Sequence, residues 1–204
     1  GRNYLVEHSA GSGKSNSIAW LAHRLSSLHN EQEQRVYNSV IVVTDRRVLD
    51  QQLQNTIYQF EHKQGVVQKI DEDTRQLVKA LVDGTPIIIT TLQKFPFVTE
   101  TIEKLNAEQE LSGELKFTTQ GKNFAVIVDE AHSSQSGESA MELKGVLNRD
   151  GIQQSATEYA AENDFDDDDT DNFEQVCREM MKRGKQSNIS FFAFTATPKY
   201  KTKH

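Results

Sequence analysis

Short, nearly unbroken apolar runs alternate along the chain with segments whose apolar residues return every three to four positions. The runs are YLVE (4–7), SVIVVTD (39–45), PIIITT (86–91), FAVIVD (124–129) and ISFFAF (189–194). Each is too short for a buried helix and rich in branched or aromatic residues, so each predicts a strand. GVVQKI (65–70) predicts a further short one. Between them, SIAWLAHRLSSL (17–28) spaces Ile18, Leu21, Leu25 and Leu28 as one face of a helix. RRVLDQQLQNTIYQF (46–60) does the same through Val48, Leu49, Leu53, Ile57 and Phe60, and TRQLVKALVDG (74–84) closes on a glycine suited to a helix stop. Strands without polar alternation are buried on both faces, and strands alternating with helices form a parallel sheet. The expectation is a three-layer α/β fold, a mainly parallel central sheet with helices on both faces. Two polar stretches interrupt the alternation. Residues 101–122 predict a hairpin or helix–loop excursion, and residues 148–172 an acidic mobile insertion within a single domain spanning 1–204.

Composition narrows the class. A chain of 204 residues, 36% hydrophobic and 26% charged, has enough apolar material for the core of one domain. The single Cys177 excludes an internal disulfide and a multi-cysteine zinc site, and fits a reducing compartment. No apolar run approaches the ~18–20 residues of a membrane-spanning helix, so the expected location is the cytoplasm, with no membrane partner. Net charge is −7, which argues against a uniformly basic nucleic-acid binder. However, ENDFDDDDTD (162–171) holds seven acidic residues and no basic one, and without it the remainder is −7 + 7 = 0. That run reads as a solvated acidic loop, with a nucleic-acid mimic or a partner-docking tail as the alternative. A start at Gly1 rather than Met, with a glycine–lysine loop almost at once, carries the expectation of a piece of a longer protein.

The loop is EHSAGSGKSN (7–16), one glycine short of the phosphate-loop pattern G-x-x-x-x-G-K-[ST], with His8 where the first glycine stands. Phosphate binding needs a strand, a tight turn with glycines where backbone meets oxygen, and a helix whose N-terminal N–H groups face the anion. Gly11, Ser12 and Gly13 form that turn, Lys14 reaches the β- and γ-phosphates, Ser15 ligates Mg²⁺, and Asn16 completes the nucleotide-binding set. His8 sits at the loop entrance, where a residue with ordinary negative φ is tolerated. FAVIVDEAH (124–132) then places two acids at the end of a buried strand, the edge of a parallel sheet where ligands bind. Asp129 is expected to hold Mg²⁺ and Glu130 to orient and deprotonate the attacking water, which favours hydrolysis over transfer. His132 reads as a relay between the γ-phosphate side and later segments of the sheet, or as a polar turn residue.

The loop, DEAH (129–132) and FTATP (194–198) stand in one order at the ends of three expected strands. Together they resemble the first RecA-like motor lobe of superfamily 2 helicases and translocases, which implies a RecA-like P-loop fold, ATP and Mg²⁺. VVTDRRVLDQQL (42–53), ITTLQKF (89–95) and DEAHSSQSG (129–137) resemble, more narrowly, the motor subunit of type I restriction–modification enzymes. The resemblance spans roughly residues 1–200. It implies an ATP-hydrolysing motor that translocates double-stranded DNA. It also implies a nuclease domain and a second RecA-like lobe elsewhere in the same chain, and methylation and specificity subunits as partners. The second lobe supplies the catalytic arginine, so this chain alone is expected to bind Mg-ATP and turn it over weakly. By the same resemblance Thr195 and Thr197 couple the ATP site to DNA, and Thr44, Arg46, Arg47, Thr91 and Lys94 lie near a phosphate backbone. Arg46 and Arg47 equally fit a solvated helix start, Lys94 a polar turn, and Thr195 and Thr197 hydroxyls that cap a turn before Pro198. The alternatives are a superfamily 2 helicase or remodeller without nuclease, a nucleotide-dependent binding switch, and, least compatible with FTATP, a small-molecule kinase.

Overall fold

The computed structural model describes residues 2–8, 13–44, 51–61, 63–108, 119, 121–129, 138–148 and 188–196. Among the described residues, six strands form one sheet: β1 (Asn3–His8), β2 (Ser39–Thr44), β3 (Val67–Lys69), β4 (Ile87–Thr91), β5 (Phe124–Asp129) and β6 (Ile189–Ala196). Their order is β1-β6-β5-β2-β4-β3, and every pairing is parallel. The described residues also form the helices α1 (Lys14–Ser26), α2 (Gln51–Gln59), α3 (Thr74–Asp83), α4 (Val98–Glu108) and α5 (Glu138–Leu147), with a 3-10 turn at Leu92–Phe97 before α4.

The unbroken apolar runs are explained by burial on both sides. Along β2, Val40 and Val42 pack with α1 and α2, while Ile41 and Val43 pack with α3, α4 and α5. β4 and β5 divide in the same way, Ile87 and Ile89 against Ile88, and Ala125 and Ile127 against Val126. All of these are essentially inaccessible to water. Burying such a side chain contributes about 1.5–3 kcal/mol, so the two cores hold the three layers together.

Helix limits follow local chemistry. Asp73 caps α3 by accepting from the Gln76 N–H at 3.1 Å. Gly84 ends it with φ 66°, a left-handed conformation that costs glycine little, as the expected stop requires. The expected helix over 17–28 begins earlier, at Lys14, because the phosphate-loop turn opens directly into it. The strand expected over 65–70 is shorter, Val67–Lys69, at the edge of the sheet. Of the helix expected over 46–60 the described part is Gln51–Gln59. The excursion over 101–122 contains a true helix, α4, that begins at Val98 and buries Val98, Ile102 and Leu105. The sequence reading passed over α5, whose Leu143, Val146 and Leu147 are buried. Residues 149–172 of the expected insertion lie outside the described residues. Among the described residues no helix is long and apolar enough to cross a membrane.

Candidate active site

In a parallel sheet all strands end at one edge, and helices that follow them begin there. Here β1 runs to His8 and α1 opens at Lys14. His8 is the last residue of β1, paired with Ala196 of β6, so extended backbone occupies the position where the motif has a glycine. Gly13 immediately precedes α1 with φ 80° and ψ 37°. A side chain there would be strained by that φ rather than by its surroundings, since an added Cβ meets only Asn16 Nδ2, at 3.7 Å. Gly13, the N-cap, offers no side-chain cap, and the first turn, including half-buried Ser15 and exposed Asn16, opens at this edge.

Lys14 and Asp129 meet at this edge. Lys14 Nζ lies 2.8 Å from Asp129 Oδ1, with the side chains 21% and 10% exposed. The two groups form an ion pair, and this buried carboxylate oxygen has no hydrogen-bond partner. A buried charge so lightly satisfied is costly unless something further binds it.

Thr44 stands in register with Asp129 on one side and with Thr91 on the other. Side chains alternate along a strand, so these three share the face that carries Val42, Ile89 and Ile127 toward α1 and α2. Thr44 is 3% exposed and its Oγ1 has no hydrogen-bond partner, while Thr91 is 6% exposed. This buried row at the strand ends was not foreseen from the sequence. Only the strand register places Thr44 beside Asp129.

The structure thus brings together Gly13, Lys14, Ser15, Asn16 and Asp129, and adds Thr44. Lys94 stands apart in the 3-10 turn, its Nζ donating to the Glu72 carbonyl at 3.4 Å. Thr195 is placed as backbone of β6, opposite Glu7. Gly11, Ser12, Arg46, Arg47, Glu130, His132 and Thr197 lie outside the described residues.

An α/β sheet of parallel strands, with a glycine–lysine turn opening a helix at its carboxyl edge and an aspartate facing that lysine, marks an ATPase domain of RecA-like arrangement. The chain belongs to the SWI2/SNF2 ATPase family, whose model matches residues 1–204. It is also similar to two curated proteins. One is the putative type I restriction enzyme MjaIXP endonuclease subunit of Methanocaldococcus jannaschii, 29% identical over 143 residues, 70% of this chain and 12% of that protein. The other is the C-terminal part of the putative type I restriction enzyme MpnIIP endonuclease subunit of Mycoplasma pneumoniae. It is 32% identical over 141 residues, 68% of this chain and 60% of that protein. The chain therefore spans less than two thirds of either relative. Their names agree with the resemblance drawn from the motifs.

Proposed function

We propose that this ATPase domain is the first motor lobe of a double-stranded DNA translocase, within the motor subunit of a type I restriction endonuclease. The observation that carries the ATP site is the Lys14–Asp129 pair at the N-terminus of α1. The relatives' names support the restriction assignment.

The residues fit a magnesium–nucleotide. Mg²⁺ asks for few protein oxygens, typically one or two, with phosphates and water completing its shell. The buried Asp129 Oδ1, which accepts no hydrogen bond, and the Ser15 hydroxyl are a donor set of that kind. Bound there, the ion would neutralise phosphate charge and polarise the γ-phosphoryl group. In this reading Gly11, Ser12 and Gly13 present backbone to the phosphates, and Asn16 stands in the first turn beside them. Lys14 turns from Asp129 toward the β- and γ-phosphates, and Asp129 is freed to hold the metal. Glu130 orients the attacking water and takes its proton, and His132, Thr195 and Thr197 couple that step to DNA. Arg46, Arg47 and Lys94 are the cations that meet the phosphate backbone. Thr44 and Thr91, at the ends of β2 and β4, belong to the same backbone-facing set, although both side chains are nearly buried here. The second RecA-like lobe, the nuclease domain and the methylation and specificity subunits belong to the same reading. A catalytic arginine from the second lobe is worth roughly 10³–10⁵ in rate, so the lobe alone binds ATP and hydrolyses it slowly.

The test is ATP turnover by the complete motor subunit with its partner subunits, measured without DNA, with single strands and with long duplex. Turnover rises with duplex and is lost in Glu130→Gln, which still binds ATP. Stimulation by single strands alone would mean an unwinding helicase instead, and ATP binding with no DNA response a nucleotide switch.

A further inference from the structure

At the carboxyl edge of the sheet, Thr44 ends β2 in register with Asp129, which ends β5. Both residues are buried, and neither Thr44 Oγ1 nor Asp129 Oδ1 has a hydrogen-bond partner. Register neighbours in a parallel sheet point to the same face on strands about 4.8 Å apart, so a hydroxyl on one is within reach of a carboxylate on the other. The amino-terminal edge of the same strand provides a contrast. Ser39, the first residue of β2, also has a buried hydroxyl without a partner, but its register neighbour is Phe124, whose side chain accepts nothing. A partnerless hydroxyl beside a ring is only a cost of folding. Beside a carboxylate it is a donor in reserve.

Lys14 decides when that donor is needed. Its Nζ pairs with Asp129 Oδ1 at 2.8 Å. In the proposed ATP site this cation turns to the phosphates, which leaves Asp129 a buried carboxylate without its ion pair. Such a charge is costly unless another group replaces the partner it has lost. Thr44 is placed to do so. One step of χ1 between staggered positions redirects its hydroxyl, with no movement of the strand. An O–H donated to a carboxylate makes a short, strong hydrogen bond and fixes the orientation of the acceptor. Carboxylates that ligate metals are held in this way, and loss of the outer partner weakens metal binding by roughly 10–100-fold.

We propose that Thr44 is a positioning residue of the ATP site, its hydroxyl donating to the Asp129 carboxylate when Lys14 leaves it and holding that carboxylate for Mg²⁺. This role rests on the ATP-site reading above and goes beyond the DNA-facing place that the motifs gave the residue. A hydroxyl so buried, on the face packed by α1 and α2, serves a neighbour within the protein.

The experiment uses the complete motor subunit and its Thr44→Val, Thr44→Ser and Asp129→Asn variants. Three affinities are measured: for Mn²⁺ in the presence of ATP, by electron paramagnetic resonance, for ATP in EDTA, and for duplex DNA. Thr44→Val keeps the shape of the side chain and removes the hydroxyl. It should weaken Mn²⁺ binding about tenfold and leave metal-free ATP binding unchanged. Thr44→Ser, which keeps the hydroxyl, should stay within about twofold of the parent, and Thr44→Val should add nothing to Asp129→Asn. Without nucleotide, Thr44→Val should not lower the unfolding temperature, because the hydroxyl has no partner to lose in that state. A lower unfolding temperature, or an equal loss of Mn²⁺ affinity in the Asp129→Asn background, would overturn the proposal in favour of a packing role. Unchanged Mn²⁺ affinity in Thr44→Val, with a loss in Asp129→Asn, would overturn it and leave the ATP site standing. Weaker duplex binding with unchanged Mn²⁺ affinity would overturn it in favour of a DNA contact. Unchanged Mn²⁺ affinity in Asp129→Asn itself would overturn the metal site, and this role with it.

Discussion

The two ends of helix α1 show how one parallel sheet creates two different chemistries. At its start, Gly13 and Lys14 face Asp129 across the carboxyl edge, and the opposite charges are drawn into a half-buried pair. At its end, His23 and Arg24 occupy the last turn, beside an open groove whose charged lining, among the described residues, is Arg24, Arg35 and Lys63. The helix dipole accounts for part of the contrast, since an N-terminus favours anions and a C-terminus favours cations. Parallel strands all end at one edge and all begin at the other, so residues from several strands and helices are gathered at each.

The contrast is sharpest in burial, and the same kind of truncation measures it at both edges. Phe95 lies just beyond the carboxyl end of β4 and is fully buried. Phe95→Ala is expected to cost about 3–5 kcal/mol in urea unfolding, through lost transfer and a cavity under α4. Next in size is Lys14→Met, which strands the Asp129 charge in a site only 10% exposed. We expect a loss of about 1–3 kcal/mol, discounted because Lys14 itself keeps some solvent. Lys14→Met/Asp129→Asn recovers part of that loss, and a double-mutant cycle by denaturant titration reads the coupling. Additive effects would show that the two charges do not interact. The smallest effect belongs to the amino edge. Trp20→Ala should change stability by under about 1 kcal/mol, since a half-exposed ring has little burial to lose. A loss comparable to that at Phe95 would mean that the groove belongs to the core and would erase the distinction between the edges.

Much of this was legible in the chain itself. β2, β4 and β5 stood out because strands covered on both faces need no polar alternation, and their ends came within a residue of expectation. Gly84 marked the end of α3 because the left-handed stop there favours glycine. Gly13, Lys14 and Asp129 were marked because phosphate and metal chemistry restricts which residues serve at a strand end. α5 was missed because among its described side chains only Leu143, Val146 and Leu147 are buried, too few to establish a period. β3 shrank because an edge strand is held by pairing on one side alone.

What local pattern determined, then, was the α/β class, the order of strands and helices and the residue types of the proposed nucleotide site. Those follow from periodicities and backbone preferences that act over a few neighbouring residues. Tertiary structure decided the strand order β1-β6-β5-β2-β4-β3, and with it which residues became neighbours. Lys14 and Asp129 are 129 − 14 = 115 residues apart in sequence and 2.8 Å apart in space. Thr44 lies beside Asp129 through strand register, and Arg24, Arg35 and Lys63 share a groove because α1 ends where β3 and β4 begin. Such proximities come from long-range packing of the two cores, which no short stretch of sequence encodes.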